Sequence, residues 1–149
     1  MSERLLISDI SDADVDAVIG LWTRAGLTRP WNDPGRDIAF ARQSAEATVL
    51  VGREMADGAI VAAVMAGHDG HRGAVYYVAV DPARQGDGLG REIMAAAERW
   101  LKDRGVWKLN LMVRTDNAAV AAFYRSLGYE FEERLNFSRW LDPSAKPSA

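Results

Sequence analysis

The sequence predicts a mixed α/β fold, in which about four helices cover both faces of a mixed, largely antiparallel sheet of about seven strands. Short runs of β-branched and aromatic residues alternate with turn formers, which is typical of strands. Other segments repeat apolar residues at the helical period. Three strands in succession precede a strand–helix–strand unit, so a meander of antiparallel strands feeds a parallel crossover. A chain of 149 residues is expected to form a single domain over residues 1–149.

The first 46 residues predict one strand and two helices. Residues 4–10, RLLISDI, form a short apolar run that turn formers follow closely. Residues 11–26 place apolar side chains at helical spacing after a capping residue, Ser11 or the aspartate that follows it, and Gly26 ends the pattern. Residues 35–46 predict a weaker helix.

The middle of the chain predicts three consecutive strands. Residues 47–55 and 59–69 are rich in β-branched residues, and the intervening ADG favours a hairpin. Residues 71–82 form a third run, which stops at Asp81 and the proline after it. These strands are expected to pair antiparallel and to form the centre of the sheet.

The second half predicts a crossover and a closing hairpin. Residues 88–105 carry a continuous apolar stripe at helical spacing, and the run at 106–115 predicts the next strand. Residues 116–128 predict another helix, and residues 129–141 a final hairpin. The tail at 142–149 is expected to be frayed.

Composition excludes several classes of function. A formal net charge of −3 gives no reason to expect nucleic acid as a partner, because nucleic acid favours a basic face. The chain has no cysteine and two histidines, so neither a thiolate nucleophile nor a Cys/His metal site is expected. No signal peptide or membrane span is recognisable. We therefore expect a cytoplasmic protein, for which a homodimer is possible.

A glycine-rich stretch at residues 78–94, VAVDPARQGDGLGREIM, lies between a predicted strand and the longest predicted helix. Gly86, Gly88 and Gly90 allow the backbone to approach a ligand closely. The start of the helix presents unpaired N–H groups to an anion, and a diphosphate fits this arrangement. A simple turn into a helix is the alternative. The spacing matches neither the P-loop nor the dinucleotide-binding fingerprint.

A second stretch, VRTDNAAVAAFYRSLGYE at residues 113–130, follows the next predicted strand. Tyr124 lies on the apolar face of its predicted helix, where a packed aromatic is the simplest interpretation. Together, the two stretches resemble the Gcn-related N-acetyltransferase (GNAT) superfamily. The family pattern [QR]-x-x-G-x-[GA] is matched by Gln85, Gly88 and Gly90. The pattern N-x-x-A-x-x-[FL]-Y-x-x-x-G-[FY] is matched by Asn117, Phe123, Tyr124, Gly128 and Tyr129, with Val120 in place of the alanine.

The resemblance implies a V-shaped sheet with acetyl-CoA between the strands YYVAV and LNLMV. It implies that backbone groups of Val78 to Val80 hold the pantetheine arm, as an added strand would, and that N–H groups of Gln85 to Arg91 bind the pyrophosphate. The cofactor-binding residues implied in this way are Val78, Ala79, Val80, Gln85, Gly86, Asp87, Gly88, Leu89, Gly90, Arg91, Asn117 and Phe123.

The activity implied is transfer of the acetyl group from acetyl-CoA to a primary amine of a small molecule, amino acid or peptide, by direct attack in a ternary complex. Tyr124 would protonate the departing thiolate as the catalytic residue. The family's usual glutamates are absent, since Ala74 and Met112 occupy those positions. The remaining candidates for the base are water or one of Tyr76, Tyr77, Asp69, His71, Glu54 and Asp33. A non-catalytic acyl-CoA-binding sensor is the alternative, and no metal is expected.

The stretch LTRPWNDPGRDI, residues 27–38, is a candidate for acceptor recognition. Asp33 can cap a helix that begins at Pro34, which is a purely structural role. Capping requires neither Arg29 nor Trp31, so Arg29 is expected to pair with an acceptor carboxylate or a nearby acid. The predicted acceptor residues are Arg29, Trp31, Asn32, Tyr76, Tyr77 and His71. This stretch, GHDGHRGAVYY and DPARQGDGLG together resemble a small bacterial subgroup, the YpeA-type acetyltransferases.

Overall fold

The computed structural model describes residues 4–148, and its strands form one mixed sheet. Numbered in chain order, the strands are β1 (Leu5–Asp9), β2 (Ala47–Glu54), β3 (Ile60–His68), β4 (Gly73–Val80) and β5 (Leu109–Asn110). They lie side by side in that same order. The pairs from β1 to β4 are antiparallel, and β4 pairs with β5 in parallel. The predicted mixed α/β class with a largely antiparallel sheet is therefore confirmed.

Four α-helices lie between and after the strands: α1 (Val15–Arg24), α2 (Pro34–Arg42), α3 (Leu89–Asp103) and α4 (Ala118–Ser126). A short 3₁₀ turn precedes α1, where the Asp14 carboxylate accepts hydrogen bonds from the backbone N–H and the hydroxyl of Ser11. Helix α2 begins with Pro34 after the cap Asp33, whose carboxylate accepts from the N–H of Arg36 at 3.1 Å. Local capping therefore sets where α2 begins and closes the turn that leads into α1.

Helices α1 and α2 cover one face of the sheet. Trp22 of α1 is fully buried and packs with Ile38 of α2. Both side chains belong to one core with Val49 and Val51 of β2 and with Ala63 of β3. Alternate residues of a strand point to the same face, so this core identifies the α1–α2 side of the sheet.

Helix α3 packs on the other side of the sheet. Its inner stripe is almost fully buried and consists of Leu89, Ile93, Met94, Ala97 and Leu101. A Cβ added to Gly73 of β4 would lie 2.9 Å from a methyl group of Leu101, closer than real Cβ contacts allow. The absence of a side chain at Gly73 therefore lets the last turn of α3 approach β4.

The sheet has fewer strands than the seven expected, since five are present in residues 4–148. The strand predicted over residues 106–115 shortens to Leu109–Asn110, and residues 129–141 form no strand. Phe131, Leu135 and Phe137 of that segment are exposed. The hairpin predicted there is wrong: an alternating pattern does not specify the partner edge with which a strand must pair. The tail contains a 3₁₀ turn, Pro143–Ala145, where it was expected to be frayed.

Internal contacts divide the chain into two compact units after Leu111. The first unit contains the sheet and α1 to α3, and the second contains α4 and the segment that follows it. The single domain over residues 1–149 stays a prediction. No helix in the part of the chain that the structure describes combines the length and the apolar character needed to cross a membrane.

Candidate functional site

The glycine-rich loop connects the end of β4 to the start of α3. Gly86 and Gly88 have φ angles of 89° and 81°, in the left-handed region that favours glycine. Gly88 is the N-cap of α3, and no side chain caps the helix there. A Cβ added to either glycine would meet no atom within 4 Å, so the space beside the loop is open. The first N–H groups of α3 are thus left available for an anion.

The other predicted residues of this loop differ in what they offer to a ligand. Gln85 and Arg91 are exposed, whereas the side chain of Leu89 is buried in the core beneath α3. Gly90 lies in the first turn of α3. The backbone N–H is therefore the group through which Leu89 or Gly90 could bind a phosphate.

Arginine side chains compensate the acids in this loop. Arg84 forms ion pairs with Glu54 at the end of β2 and, at 3.1 Å, with Asp87 in the loop. Asp81 pairs with Arg24 of α1 at 3.0 Å. The N–H of the residue two positions later and the Arg24 guanidinium hold the pKa of Asp81 below its usual range. The loop is thereby attached to the sheet and to α1, and the negative charge of Asp87 is directed towards Arg84.

A bulge interrupts β4 at Tyr77 and Val78, the second of which is the first predicted pantetheine-binding residue. Ala79 pairs with Ala63 and Tyr76 with Met65, so two residues of β4 lie opposite one residue of β3. Tyr77, in the bulge, has φ 55° and is the one non-glycine residue with positive φ in residues 4–148. The bulge therefore bends β4 at the start of the predicted pantetheine-binding residues.

Strand β5 pairs with only part of the outer edge of β4. Strand β5 pairs with it at two positions, Gly73 with Leu109 and Ala74 with Asn110. Within residues 4–148, no strand continues this pairing beside Val78, Ala79 and Val80. An unpaired edge of this kind can accept an extended chain that adds main-chain hydrogen bonds.

A cavity of about 330 Å³ lies on the α2 side of the bulge, lined by Leu27, Asn32, Asp37, Met65, Tyr76 and Tyr77. The Tyr77 hydroxyl donates a hydrogen bond of 2.7 Å to Oδ2 of Asp37. Its ring stacks on the buried indole of Trp22, with centroids 4.0 Å apart. Burial, together with the carboxylates of Asp37 and Asp33, raises the pKa of the Tyr77 phenol well above its usual range. This phenol is therefore a hydrogen-bond donor to Asp37.

The structure brings together half of the predicted acceptor residues. Asn32, Tyr76 and Tyr77 line the cavity, whereas Trp31 is 43% exposed and is not part of the lining. Arg29 instead donates hydrogen bonds to the backbone carbonyls of Gly26 (2.5 Å) and Thr28 (3.1 Å). The expected pairing of Arg29 with a nearby acid is absent from the described residues.

His71 lies in the turn between β3 and β4, five residues before Tyr76 on the chain. Five residues of strand span roughly 17 Å, and His71 is not among the residues that line the cavity. The turn is closed by Asp69, whose carboxylate accepts hydrogen bonds from the N–H groups of His71 (2.9 Å) and Arg72 (2.8 Å). These bonds lower the pKa of Asp69. The stretch is thus a polar connection between strands.

Other candidates for the base are also occupied. Glu54 is paired with Arg84, and Asp33 caps α2. Asp37 was missed in the sequence because an acid in the first turn of a helix is ordinarily explained by the helix dipole. The signal in the sequence that could have identified Asp37 was its position four residues after the cap Asp33. No group of three or more His, Cys, Asp or Glu side chains in residues 4–148 is arranged to hold a metal ion.

In the second unit, Tyr124 is the buried residue of α4, with 9% of its surface exposed. Its ring makes edge contacts with Phe123 and Tyr129, at centroid distances of 5.1 Å and 5.7 Å. Burial raises the pKa of Tyr124 to about 12. Asn117 is the N-cap of α4, and its Oδ1 accepts from the N–H of Val120 at 3.1 Å. The side-chain oxygen of Asn117 is therefore already hydrogen-bonded within the helix.

Comparison with known proteins gives consistent matches. Residues 16–129 match the model of the acetyltransferase (GNAT) family, which is well over half of the chain. An acetyltransferase of Pectobacterium atrosepticum is 44% identical over 128 residues, covering 86% of this chain and 89% of that protein. One from Sodalis glossinidius is 42% identical over 122 residues, covering 82% and 84%.

Solved structures show the same fold. The ribosomal-protein-S18-alanine N-acetyltransferase of Escherichia coli matches with a TM-score of 0.74 and 28% identity, over 93% of this chain and 86% of that chain. An aminoglycoside N-acetyltransferase in complex with CoA matches with a TM-score of 0.79 over 95% and 97% of the two chains. Its identity of 17% supports the fold alone.

Proposed function

Since the chain belongs to the GNAT acetyltransferase family, as its two motifs predicted, we propose that it is an N-acetyltransferase that uses acetyl-CoA. The acetyl group passes to a primary amine of a small molecule, amino acid or peptide, by direct attack in a ternary complex. The amine nitrogen bonds to the carbonyl carbon of the thioester, the carbon–sulfur bond breaks, and the amine proton leaves. Acetyl-CoA supplies the activated carbonyl group, and the protein supplies binding, orientation and proton transfer.

The glycine-rich loop fits the diphosphate of CoA. The uncapped start of α3 and the open space beside Gly86 and Gly88 leave several N–H donors for an anion. The unpaired edge of β4 beside Val78 to Val80 fits the amides of the pantetheine arm. A backbone N–H of this edge would also stabilise the oxyanion of the reacting carbonyl.

Tyr124 is proposed to assist the departing thiolate. With a pKa of about 12 its phenol stays protonated at neutral pH. A hydroxyl of this kind can donate a hydrogen bond to sulfur as negative charge develops there. Phe123 and Tyr129 fix the ring through their edge contacts.

The amine proton is proposed to leave through water. Ala74 and Met112 provide no carboxylate at the two positions where relatives carry a glutamate. Tyr76, which is 50% exposed on the cavity wall, is the remaining phenol that could pass this proton to solvent. Asn32 and Tyr77 would contact the acceptor. The homodimer and the cytoplasmic location stay predictions.

The observation that carries the proposal is the open, uncapped glycine loop at the start of α3. The test measures thiol release from acetyl-CoA with a panel of amines, comparing the wild-type protein with Tyr124→Phe. We expect turnover with at least one amine and a fall in kcat of about a hundredfold or more in the variant. Tyr129→Phe is the matched control, because it removes the hydroxyl of a neighbouring tyrosine and leaves the aromatic cluster intact.

Two results would contradict the proposal. Full activity in Tyr124→Phe would make Tyr124 a packing residue. A rise of the melting temperature with acetyl-CoA, but no thiol release with any amine, would favour the alternative of an acyl-CoA-binding sensor.

A further inference from the structure

The cavity beside the β4 bulge has a specific chemical character. Its lining includes two apolar side chains, Leu27 and Met65, and the neutral polar groups of Asn32 and two tyrosines. Asp37 is the charged residue of the lining, and no arginine, lysine or histidine is part of it. A volume of about 330 Å³ lies at the small end of ligand-binding pockets. The cavity thus fits a compact molecule and carries negative charge.

The carboxylate of Asp37 is held in place from one side. Its Oδ2 accepts the Tyr77 hydroxyl at 2.7 Å. Tyr77 is itself fixed by its stacking on Trp22 and by its place in the bulge. A carboxylate has lone pairs for further donors beyond this one, so Asp37 can still accept hydrogen bonds within the cavity.

The charge of Asp37 is not compensated by a basic side chain. Within residues 4–148, no arginine, lysine or histidine forms an ion pair with this carboxylate. Asp37 lies in the first turn of α2, and its Oδ2 accepts the Tyr77 hydroxyl. A fixed and partly buried carboxylate on the wall of a cavity, with no basic side chain paired to it, favours a cation as its ligand.

We propose that Asp37 selects the acceptor by binding an ammonium group that does not react, so that the preferred acceptors are compact amines with a second cationic nitrogen. The inference rests on the proposed N-acetyltransferase activity. The attacking nitrogen must be neutral, whereas the nitrogen that Asp37 holds stays charged, so the two are different atoms. Diamines and amino sugars belong to this class.

The same geometry disfavours acceptors that carry a carboxylate. Arg29, the cation that the sequence offered for such a group, donates instead to the carbonyls of Gly26 and Thr28. An amino-acid carboxylate in the cavity would meet the like charge of Asp37 without a cation to offset it. Simple amino acids should therefore be poor acceptors.

The test compares two acceptors of similar length, 1,4-diaminobutane and n-butylamine, with the wild-type protein and Asp37→Asn. Asparagine keeps an oxygen that can accept from Tyr77 and removes the charge. We expect the variant to lose about tenfold or more in kcat/KM for the diamine and to change about twofold or less for butylamine. Asp16→Asn is the matched control, since Asp16 is an exposed acid in the first turn of α1 and is not part of the cavity lining.

A positioning variant sharpens the test. Tyr77→Phe keeps the aromatic stack on Trp22 but removes the hydroxyl that fixes Asp37. We expect it to raise the KM for the diamine less than Asp37→Asn does. Equal losses for both amines in Asp37→Asn, or no loss for either, would overturn the inference.

A binding measurement separates this inference from the proposed activity. Calorimetric titration of 1,4-diaminobutane into the protein saturated with CoA needs no turnover. Weaker binding in Asp37→Asn than in Asp16→Asn would support the inference even if no acceptor is acetylated. Equal binding in all variants would refute it, whereas absence of turnover in the wild-type protein refutes the proposed activity.

Discussion

Replacing Gly88 by alanine tests whether the shape of the glycine loop is what binds acetyl-CoA. Gly88 has φ 81° and ψ 10° and is the N-cap of α3. A Cβ there would meet nothing within 4 Å, so the substitution adds no steric clash. Its effect comes from the backbone alone, because an L-residue in the left-handed region is strained by about 1–2 kcal/mol.

That strain divides between stability and binding. If the loop keeps its conformation, the full 1–2 kcal/mol or so is lost from the free energy of unfolding, and the affinity for CoA is unchanged. If the loop relaxes in the free protein, less stability is lost, and CoA must restore the strained conformation when it binds. The KM for acetyl-CoA then rises by up to about five- to thirtyfold, because each 1.36 kcal/mol or so is a factor of ten.

Gly105 provides a matched control at the other end of the same helix. It has φ 86°, and its Cβ would also meet nothing within 4 Å. Gly105→Ala should lower the melting temperature by roughly 2–4 °C per kcal/mol and leave the KM for acetyl-CoA unchanged. Steady-state kinetics and thermal unfolding of both variants give the result. If Gly88→Ala loses neither stability nor affinity, or if both variants raise the KM equally, the assigned role of the loop is wrong.

Two further predictions concern ion pairs of the scaffold. The Arg53 guanidinium, 2.5 Å from Asp14, holds the pKa of that carboxyl below its usual value of 3.8. This stabilisation is present above about pH 4 and is lost as the pH falls through the folded-state pKa. Asp14→Asn should therefore lower the free energy of unfolding by about 1–3 kcal/mol at pH 7 and by progressively less in acid. A difference between the wild-type protein and the variant that stays constant with pH would contradict this. Arg84→Met leaves the carboxylate of Glu54 without its partner and should lower the free energy of unfolding, measured with denaturant, by about 1–3 kcal/mol. Adding Glu54→Gln should recover part of this loss. Equal stability of the single and double variants would argue against the pair.

Most of the central fold could be predicted because its signals are local. The apolar spacing in α1 and α3 and the β-branched runs of β2, β3 and β4 each lie within one continuous segment. The bulge in β4 and the short pairing of β5 could not be predicted, because they depend on register between segments that are distant in sequence. The same dependence explains why residues 129–141 were assigned to strands that the structure lacks.

The backbone conformation of the glycine loop could be predicted because residue type alone determines it. Positive φ at Gly86 and Gly88 follows from glycine's freedom at a strand-to-helix turn. Contacts that depend on a partner residue could not be predicted. Arg29 bonds to carbonyls of its own loop, and the turn that contains His71 is closed by neighbouring backbone groups. Asp37 was missed because its hydrogen bond joins residues 40 positions apart.

The bulge at Tyr77 also bears on how this scaffold can diversify. The side chain of Tyr77 orients Asp37 in the cavity, while the backbone of the same residue leads directly into Val78 at the open edge. Apart from Tyr76 of β4, the remaining polar residues of the cavity wall are Asn32 and Asp37, which come from α2 and the segment before it. Substitutions there can alter acceptor preference while the edge stays intact, whereas substitutions at Tyr77 alter both at once. Substitutions that change acceptor preference during evolution should therefore accumulate in residues 27–38, whereas Tyr77 should rarely be substituted.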